Sequence, residues 1–442
     1  EIMPSLVGSE MCIRDSFKGL TVHKQVIPLA EEDKICPICG TPMERIGEEY
    51  VRRELVFTPA RCEIYEYYTE SYGCPNCKDG KGDTEKAVII KSKAAPALIG
   101  KGPASPSTVA WTIYQKYANG MPLYRQEKDW KEYGAAISRT TLANWIIYSA
   151  EHYFRPLYDY FHRQLLQREF LMADETRVQV LKEPGRSAES QSFMWLFRTG
   201  EDGQPAILLY GYTPTRSGNN AADFLDGFQG YLETDGYQGY NKVSGIKRCS
   251  CWAHIRRYFV DAIPKGKQLD YNQPAVQGVH YCDRLARLES TITSKYGADH
   301  EKRKQMRLEK EKPVLEAFWA WVDSQHPTRN TRLDKALTYV KNRRETSMTY
   351  LEDGRCSFTN NLSENAIRPF TLGRKNWLFS DSVEGAQASA ITYTMVEMAK
   401  AHNLNIYGYL SYILEQRPDE SWNDEQLAEL APWSEKLQTL KI

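Results

Sequence analysis

The sequence predicts an α/β multidomain protein, with a zinc ribbon and a helical, helix-turn-helix-like region ahead of a strand-rich core. Three observations predict it. Two CxxC knuckles stand early in the chain, CPICG from Cys36 and CPNC from Cys74 to Cys77. Three helix-like segments follow, the last starting at Ser138. From Phe170 the texture changes to three apolar strand runs, a helix, and a further strand ending in Asp235-Gly236.

Each CxxC, interrupted or followed by Pro and Gly, makes a tight turn with two thiolates on one side. Two such turns supply the four sulfurs that tetrahedral zinc takes, so Cys36, Cys39, Cys74 and Cys77 are read as a structural Zn²⁺ site. The segment between them, VRRELVFTPARCEIYEYYTESY, is rich in Val, Phe and Tyr and alternates as strands do. Cys62 is read as a spare strand cysteine. Thiol oxidoreductases use one CxxC beside a βαβ unit, and reduced unrelated cysteines are the plainer alternative.

Residues 91–107 have linker composition, KSKAAPALIGKGPASPS included. The helical block then runs through STVAWTIYQKYANG, MPLYRQEKDWKEYG and ISRTTLANWIIYSAEHYFRPLYDYFHRQLLQ. Ser138 caps the third piece after a turn containing Gly134. Arg139, Thr140, Thr141 and Asn144 on its early turns match a DNA-reading helix. Between Lys91 and Ala150 there are eight Lys or Arg against three Asp or Glu. An ordinary helical hairpin packing on its neighbours is the other reading of the same pattern.

The strand runs are FLMADETRVQVL, SFMWLFRTG and PAILLYGYT; a helix over 218–228 and the strand GYLETDGYQGYN follow. Asp174 replaces an apolar residue in mid-strand, where a charge is costly unless paired or metal-bound. Asp235 sits at a strand end before glycine. After IKRCSCWAHIRRYFVDAI the chain reads as helical from about Ala253 to Tyr350, and the Glu, Lys and Arg alternation from Glu301 to Lys312 reads as a solvated helix face. The stretch NNLSENAIRPFTLGRKNWLFS, from Asn360 to Ser380, reads as a polar helix capped by Asn360, Asn361 or Ser363, with Glu364 in its first turn and Arg368 on the same face. A basic loop with Arg374, Lys375 and Trp377 then comes out of a break at Gly373. Carboxylates from three distant positions suit a hard cation such as Mg²⁺, which prefers oxygen ligands.

Formal net charge is zero, 57 Lys and Arg against 57 Asp and Glu, so nucleic-acid binding must come from local patches. No apolar run approaches the roughly 18 residues of a membrane span, and no secretory signal is present. The chain reads as cytoplasmic.

Taken in order, CPICG and CPNC, LYRQEKDW with SRTTLANW, ADET, ETDGYQGY, CWAHIRRYF and NNLSENAIRPFTLGRKNWLFS resemble the transposases of the bacterial insertion sequence 66 family. The likeness runs from about Lys34 to the C-terminal region. It implies an RNase H-like catalytic core of the acidic-triad (DDE) type, with a helical insertion between Asp235 and Glu364. Asp174, Asp235 and Glu364 would be the catalytic residues and the ligands of Mg²⁺ or Mn²⁺, two ions in all. Glu175, on the opposite face of the strand from Asp174, and Glu233, sharing a face with Asp235, are the rival acids. Cys251 and His254 form the Cys-x-x-His element of related transposases, read as structural, with metal or DNA contact as alternatives. Arg256, Arg257, Arg368, Arg374 and Lys375 are candidates for phosphate contact. Arg368 has a helix-surface pair with Glu364 as its plain reading. Trp377 is a candidate for stacking on a base, with core packing as the alternative.

The implied activity is metal-dependent cutting of DNA at the ends of a mobile element and strand transfer into target DNA, in the bacterial cytoplasm at the nucleoid. A zinc-containing DNA-binding regulator with an inactive core, or an RNase H-like nuclease, are the alternatives. Implied partners are element-end and target DNA, a second copy on paired ends, and accessory proteins of the element. The boundaries expected are a non-native leader at 1–16, zinc ribbon 17–90, linker 91–107, helical DNA-binding region 108–168, core 169–252, helical insertion 253–355, final core part 356–404 and C-terminal region 405–442. Family members have a longer, coiled-coil-like segment where this chain has residues 1–16.

Overall fold

The structure, a computed structural model, describes residues 26, 38, 41–42, 62–73, 89–92, 95–100, 102–264 and 270–440. The chain divides into two units, Glu1–Arg61 and Cys62–Ile442, and every element named below belongs to the second. Cys36, Cys39, Cys74 and Cys77 lie outside the described residues. Cys62 is exposed and lies outside any strand, because pairing begins only at β1 (Ser71–Gly73), which runs antiparallel to β2 (Ile89–Lys91).

The helical block forms as its sequence predicts. α1 (Pro106–Ile113) opens on a capping box in which the Ser105 hydroxyl and Thr108 satisfy each other's backbone N–H groups. α2 (Leu123–Glu132) and α3 (Arg139–Ser149) are joined by a turn in which Gly134 takes φ +83°. Ser138 caps α3 by accepting the Thr141 N–H at 3.1 Å. A π-helical turn, Ala150–Phe154, carries α3 straight into α4 (Arg155–Leu166).

A mixed sheet follows: β3 (Phe170–Lys182), β4 (Gln191–Thr199), β5 (Leu208–Thr213), then α5 (Gly218–Phe224), β6 (Gly230–Thr234) and β7 (Ile246–Ser250). Its order is β5-β4-β3-β6-β7, with β3, β4 and β5 antiparallel and β3, β6 and β7 parallel. The strand read through GYLETDGYQGYN is shorter than expected. It stops at Thr234, and Gln238–Lys242 winds into a 3₁₀ turn. β7, IKRCS, was not expected as a strand, since its exposed Lys247 breaks the apolar signal; pairing with β6 makes it one.

The helical stretch holds α6 (Trp252–Ala262), α7 (Pro274–Tyr296), α8 (His300–Met306), α9 (Lys312–Ser324) and α10 (Arg332–Lys341). The Glu301–Lys312 alternation corrects the expectation of a solvated face. Arg303, Arg307 and Glu311, four residues apart, are buried on one face. Arg307 donates to Glu289 and to the carbonyls of Tyr350, Asp353 and Cys356. A buried charge survives there because a partner carboxylate and three carbonyls surround it.

α11 (Asn361–Trp377), β8 (Ser380–Ser382), α12 (Val383–Ala401) and α13 (Ile406–Gln416) complete the frame, with α14 (Asp424–Glu429) and α15 (Glu435–Leu440) after them. α12 is buried nearly all round. It also seals the sheet edge at β5: Leu208 N–H donates to Met398 Sδ at 3.1 Å and Tyr210 N–H to Thr394 Oγ1 at 3.0 Å. One apolar cluster joins α1–α4, the sheet and α11–α13; a second holds α6, α7, α9 and α10 together with Phe358.

Candidate functional site

The site forms where β3, the end of β6, and the N-termini of α6 and α11 meet. Asp174 lies in mid β3 opposite Leu196, and Glu175 opposite Trp195. Met172 pairs with Glu233 across the parallel β3-β6 junction, which brings the end of β6 alongside the part of β3 that leads to Asp174. Asp235 is the first residue past β6, and its Oδ1 accepts the Tyr237 N–H at 2.7 Å. Glu364 stands in the first turn of α11.

Asn360 ties these pieces together. It is fully buried, donates through Nδ2 to the Ala173 carbonyl at 3.0 Å, and gives its N–H to Cys251 Sγ at 3.1 Å. The expected side-chain cap is therefore absent: Asn360 is the N-cap, but it spends its amide on β3, and the Ser363 hydroxyl bonds back to the Asn360 carbonyl. On the next turn, the Leu362 carbonyl accepts from Arg198 Nη1 at 3.1 Å.

Asp174 senses its acidic neighbours. Burial first, then the charges of Glu175, Asp235 and Glu364, push the Asp174 carboxyl up to about 8, against the Glu175 N–H bond that favours ionisation. Glu364 Oε1 is 3.7 Å from His254 Nδ1, and Oε2 is 3.9 Å from Arg257 Nη2. Both Glu364 Oε1 and His254 Nδ1 are buried without a hydrogen-bond partner. Cys251, His254 and Glu364 offer ligand atoms within 4.8 Å of one another. Burial holds the His254 imidazole below its usual pKa, with Glu364 opposing.

The rival acids are differently engaged. The Glu175 side chain is 1 % exposed; Oε1 takes Arg216 and Oε2 takes the Tyr240 hydroxyl at 2.5 Å. Glu233 is buried, and burial raises its carboxyl well above the ordinary range while Arg307 opposes and Glu289 adds to the rise. The shared strand face expected for Glu233 and Asp235 does not hold, because β6 ends between them and the chain turns at Asp235-Gly236.

The candidate DNA contacts are spread over several surfaces. Arg139, Thr140 and Asn144 are exposed and Thr141 half-buried on α3, whose other side buries Leu142, Trp145 and Ile146. Arg256 is held by Asp283 at 2.6 Å, whereas Arg257 is 58 % exposed beside Glu364. Arg368 is exposed, and among the described residues no ion pair joins it to Glu364. The expected break at Gly373 is corrected: α11 runs unbroken to Trp377, so Arg374 and Lys375 occupy its last turn and not a loop. Gly373 serves close packing, since a Cβ there would stand 2.3 Å from Tyr393 Oη. Arg374 Nη1 reaches Thr176 Oγ1 on β3 at 3.4 Å, two residues from Asp174, and Lys375 is exposed. Trp377 is half-buried, edge-on to Tyr117, with Lys116 over its ring.

A family model described as transposase IS66 family matches residues 101–388, which include Asp174, Asp235 and Glu364. The chain belongs to the transposase IS66 family. A second model, the zinc-finger binding domain of transposase IS66, matches residues 33–78 of this transposase and spans all four knuckle cysteines. That domain supports a structural zinc and a DNA-binding region at the N-terminal side. Two uncharacterized proteins of Sinorhizobium fredii are similar to it. One, y4qI, is 27% identical over 436 residues, covering 95% of this chain and 77% of the relative. The other, y4jD, is 26% identical over 418 residues, covering 92% and 79%. Among the described residues no helix is long and apolar enough to cross a membrane.

Sequence reading missed Arg216, Tyr240 and Asn360 as members of this site. Asn360 and Tyr240 lie within quoted motifs, NNLSEN and TDGYQGY, but no local pattern says that a side chain will reach another element. Arg216 carries no signal at all.

Proposed function

We propose that this transposase cuts DNA at the ends of its own insertion sequence and joins the freed ends to target DNA, using an RNase H-like core of the acidic-triad type. The strand order β5-β4-β3-β6-β7, three strands antiparallel and then two parallel, supports that core. The observation that carries the chemistry is the Asp174 carboxyl, raised by burial first, then by Glu175, and also by Asp235 and Glu364 from separate elements.

Carboxylate oxygens such as those of Asp174, Asp235 and Glu364 are what a hard divalent cation takes. Glu364 Oε1 is buried and unpartnered, with Cys251 and His254 the neighbours whose ligand atoms already lie within 4.8 Å. When bound, Mg²⁺ or Mn²⁺, as one or two ions, supplies positive charge that favours the nucleophile and the developing charge on the scissile phosphate. The residues do the rest. Asp174, Asp235 and Glu364 hold the cation, while Arg216 and Tyr240 keep Glu175 bound beside them. Arg257, Arg368, Arg374 and Lys375 contact phosphates and fix the strand. Water breaks the phosphodiester to leave a 3′ hydroxyl; that hydroxyl attacks a target phosphodiester and displaces its 3′ oxygen. Cys36, Cys39, Cys74 and Cys77 hold structural Zn²⁺, and Arg139, Thr140, Thr141 and Asn144 read the terminal sequence. Two ends must be held at once, so at least two copies act together, with accessory proteins of the element as further partners.

The test is cleavage of duplex carrying the inverted repeats that flank the reading frame. Asp174→Asn, Asp235→Asn and Glu364→Gln should each lower Mg²⁺-dependent cutting on the order of 10²–10³-fold while leaving duplex binding intact. Unchanged cutting in any of the three would overturn the assignment.

A further inference from the structure

Next to the acids stands a three-tier stack. Tyr258 of α6 lies on Tyr339 of α10, ring centroids 3.8 Å apart and planes 19° from parallel. The Arg343 guanidinium is 3.6 Å from the centre of the same Tyr339 ring. Two groups at stacking distance from one ring must occupy its opposite faces, so the order is Arg343, Tyr339, Tyr258.

The inner tiers are fastened to the site. Arg343 Nη2 donates to the Gly236 carbonyl at 2.5 Å, one residue from Asp235. A Cβ at Gly236 would meet Arg343 Nη2 at 2.3 Å and Tyr339 Oη at 2.6 Å, so a side chain there would push both groups from this seat. The outer tier is open: Tyr258 remains 39% exposed although Tyr339 covers one of its faces. Its chain neighbour Arg257 is 58% exposed and within 3.9 Å of Glu364. A partly exposed ring thus ends the stack, with the next residue back on α6 reaching Glu364 and the proposed reacting centre at the base of the stack.

That combination fits a nucleobase attached to a phosphate better than it fits an apolar side chain. The tier spacing is close to the ~3.4 Å rise of stacked bases. We infer that Tyr258 receives an unpaired base of the DNA strand being cut, stacking it on Tyr339 and Arg343 while Arg257 faces the adjoining phosphate. Extruding a base from a duplex is costly, and aromatic stacking offsets that cost without demanding a particular base. The inference rests on the reading of Asp174, Asp235 and Glu364 as the place where the strand is cut.

The experiment uses the full chain with its zinc and with no added Mg²⁺ or Mn²⁺, so that no strand is cut, and a forked duplex with one unpaired 2-aminopurine at the fork; the same duplex fully paired is the reference. Wild type should quench the 2-aminopurine and bind the fork more tightly. Tyr258→Leu, which still covers Tyr339, should lose the quench and weaken fork binding about tenfold, with the paired duplex unaffected. Tyr258→Phe should behave as wild type, and Tyr258→Trp should quench at least as strongly. Wild-type behaviour of Tyr258→Leu, or equal loss in Tyr258→Phe, overturns the inference. Cutting in Mg²⁺ is scored separately. A quench without cutting refutes the acid assignment and upholds the stack, whereas cutting without a quench refutes the stack alone.

Discussion

Asn360 Nδ2 donates to the carbonyl of Ala173 at 3.0 Å, joining the start of the helix that bears Glu364 to the residue just before Asp174. Two acids 190 residues apart in sequence, by their numbering, are thereby held in register by one buried amide. Asn360→Ala should lower stability by roughly 1–3 kcal/mol, because the Ala173 carbonyl loses a buried donor. DNA cutting should fall further than stability, since Glu364 is no longer fixed against β3. Chemical denaturation and cleavage measured on the same preparation check both; Asn360→Ala with full activity would remove this amide from the account.

Gly373→Ala tests packing against propensity. In an open helix the change stabilises by about 1 kcal/mol. Here the new methyl would meet Tyr393 Oη at 2.3 Å and Trp377 Cη2 at 2.5 Å, and overpacking costs roughly 1–3 kcal/mol. The variant should therefore melt below wild type in a thermal scan.

Asp174→Asn should stabilise the Mg²⁺-free protein while strongly lowering cutting. The folded carboxyl is raised from 3.8 to about 8, by burial first and then by its acidic neighbours. The folded state thus keeps a proton that the unfolded chain releases, and wild-type stability is lost as pH rises from about 4 towards 8. Melting without added Mg²⁺ should separate the two proteins increasingly across that window, with the variant higher at pH 9. Added Mg²⁺ should raise the wild-type melting temperature and leave the variant's unchanged. A constant difference across pH would count against this environment for Asp174.

Arg307→Met removes the cation at the centre of the buried network and leaves Glu289 without its main partner. Breaking a buried pair from one side costs about 3–5 kcal/mol. The carbonyls of Tyr350, Asp353 and Cys356 also lose their donor, and they belong to the segment leading into α11. Equilibrium unfolding should show the loss; Arg307→Met together with Glu289→Met and Arg303→Met should recover part of it, because neither Glu289 nor Arg303 is then left as a buried charge without its partner.

Zinc content gives an independent check on the knuckles. Metal analysis should find one zinc per chain in wild type and none in Cys39→Ser or Cys77→Ser. Chelation should weaken binding to element ends, whereas the four-cysteine reading fails if zinc persists in both variants.

The sequence by itself determined the order of the parts and the kinds of chemistry they offer. The paired CxxC turns, the Ser138 cap and the apolar runs from Phe170 are local signals, read from neighbouring residues; the described elements follow the last two, and the CxxC turns lie outside the described residues. It also singled out Asp174, since a charge inside an apolar strand run is visible without any partner.

Only the tertiary structure decided which acids face one another. Glu175 is turned to Arg216 and Tyr240, Glu233 lies buried near Arg307 and Glu289, and Asp174 feels the charge of Glu175 first and then those of Asp235 and Glu364. Strand register, the stop of β6 at Thr234 and the Asn360 tether set those choices. Each is a hydrogen bond or a packing contact between residues far apart in the chain, and no pattern of neighbouring side chains encodes it. The same holds for Arg303, Arg307 and Glu311, whose charges look solvated until Glu289 is brought across from another helix.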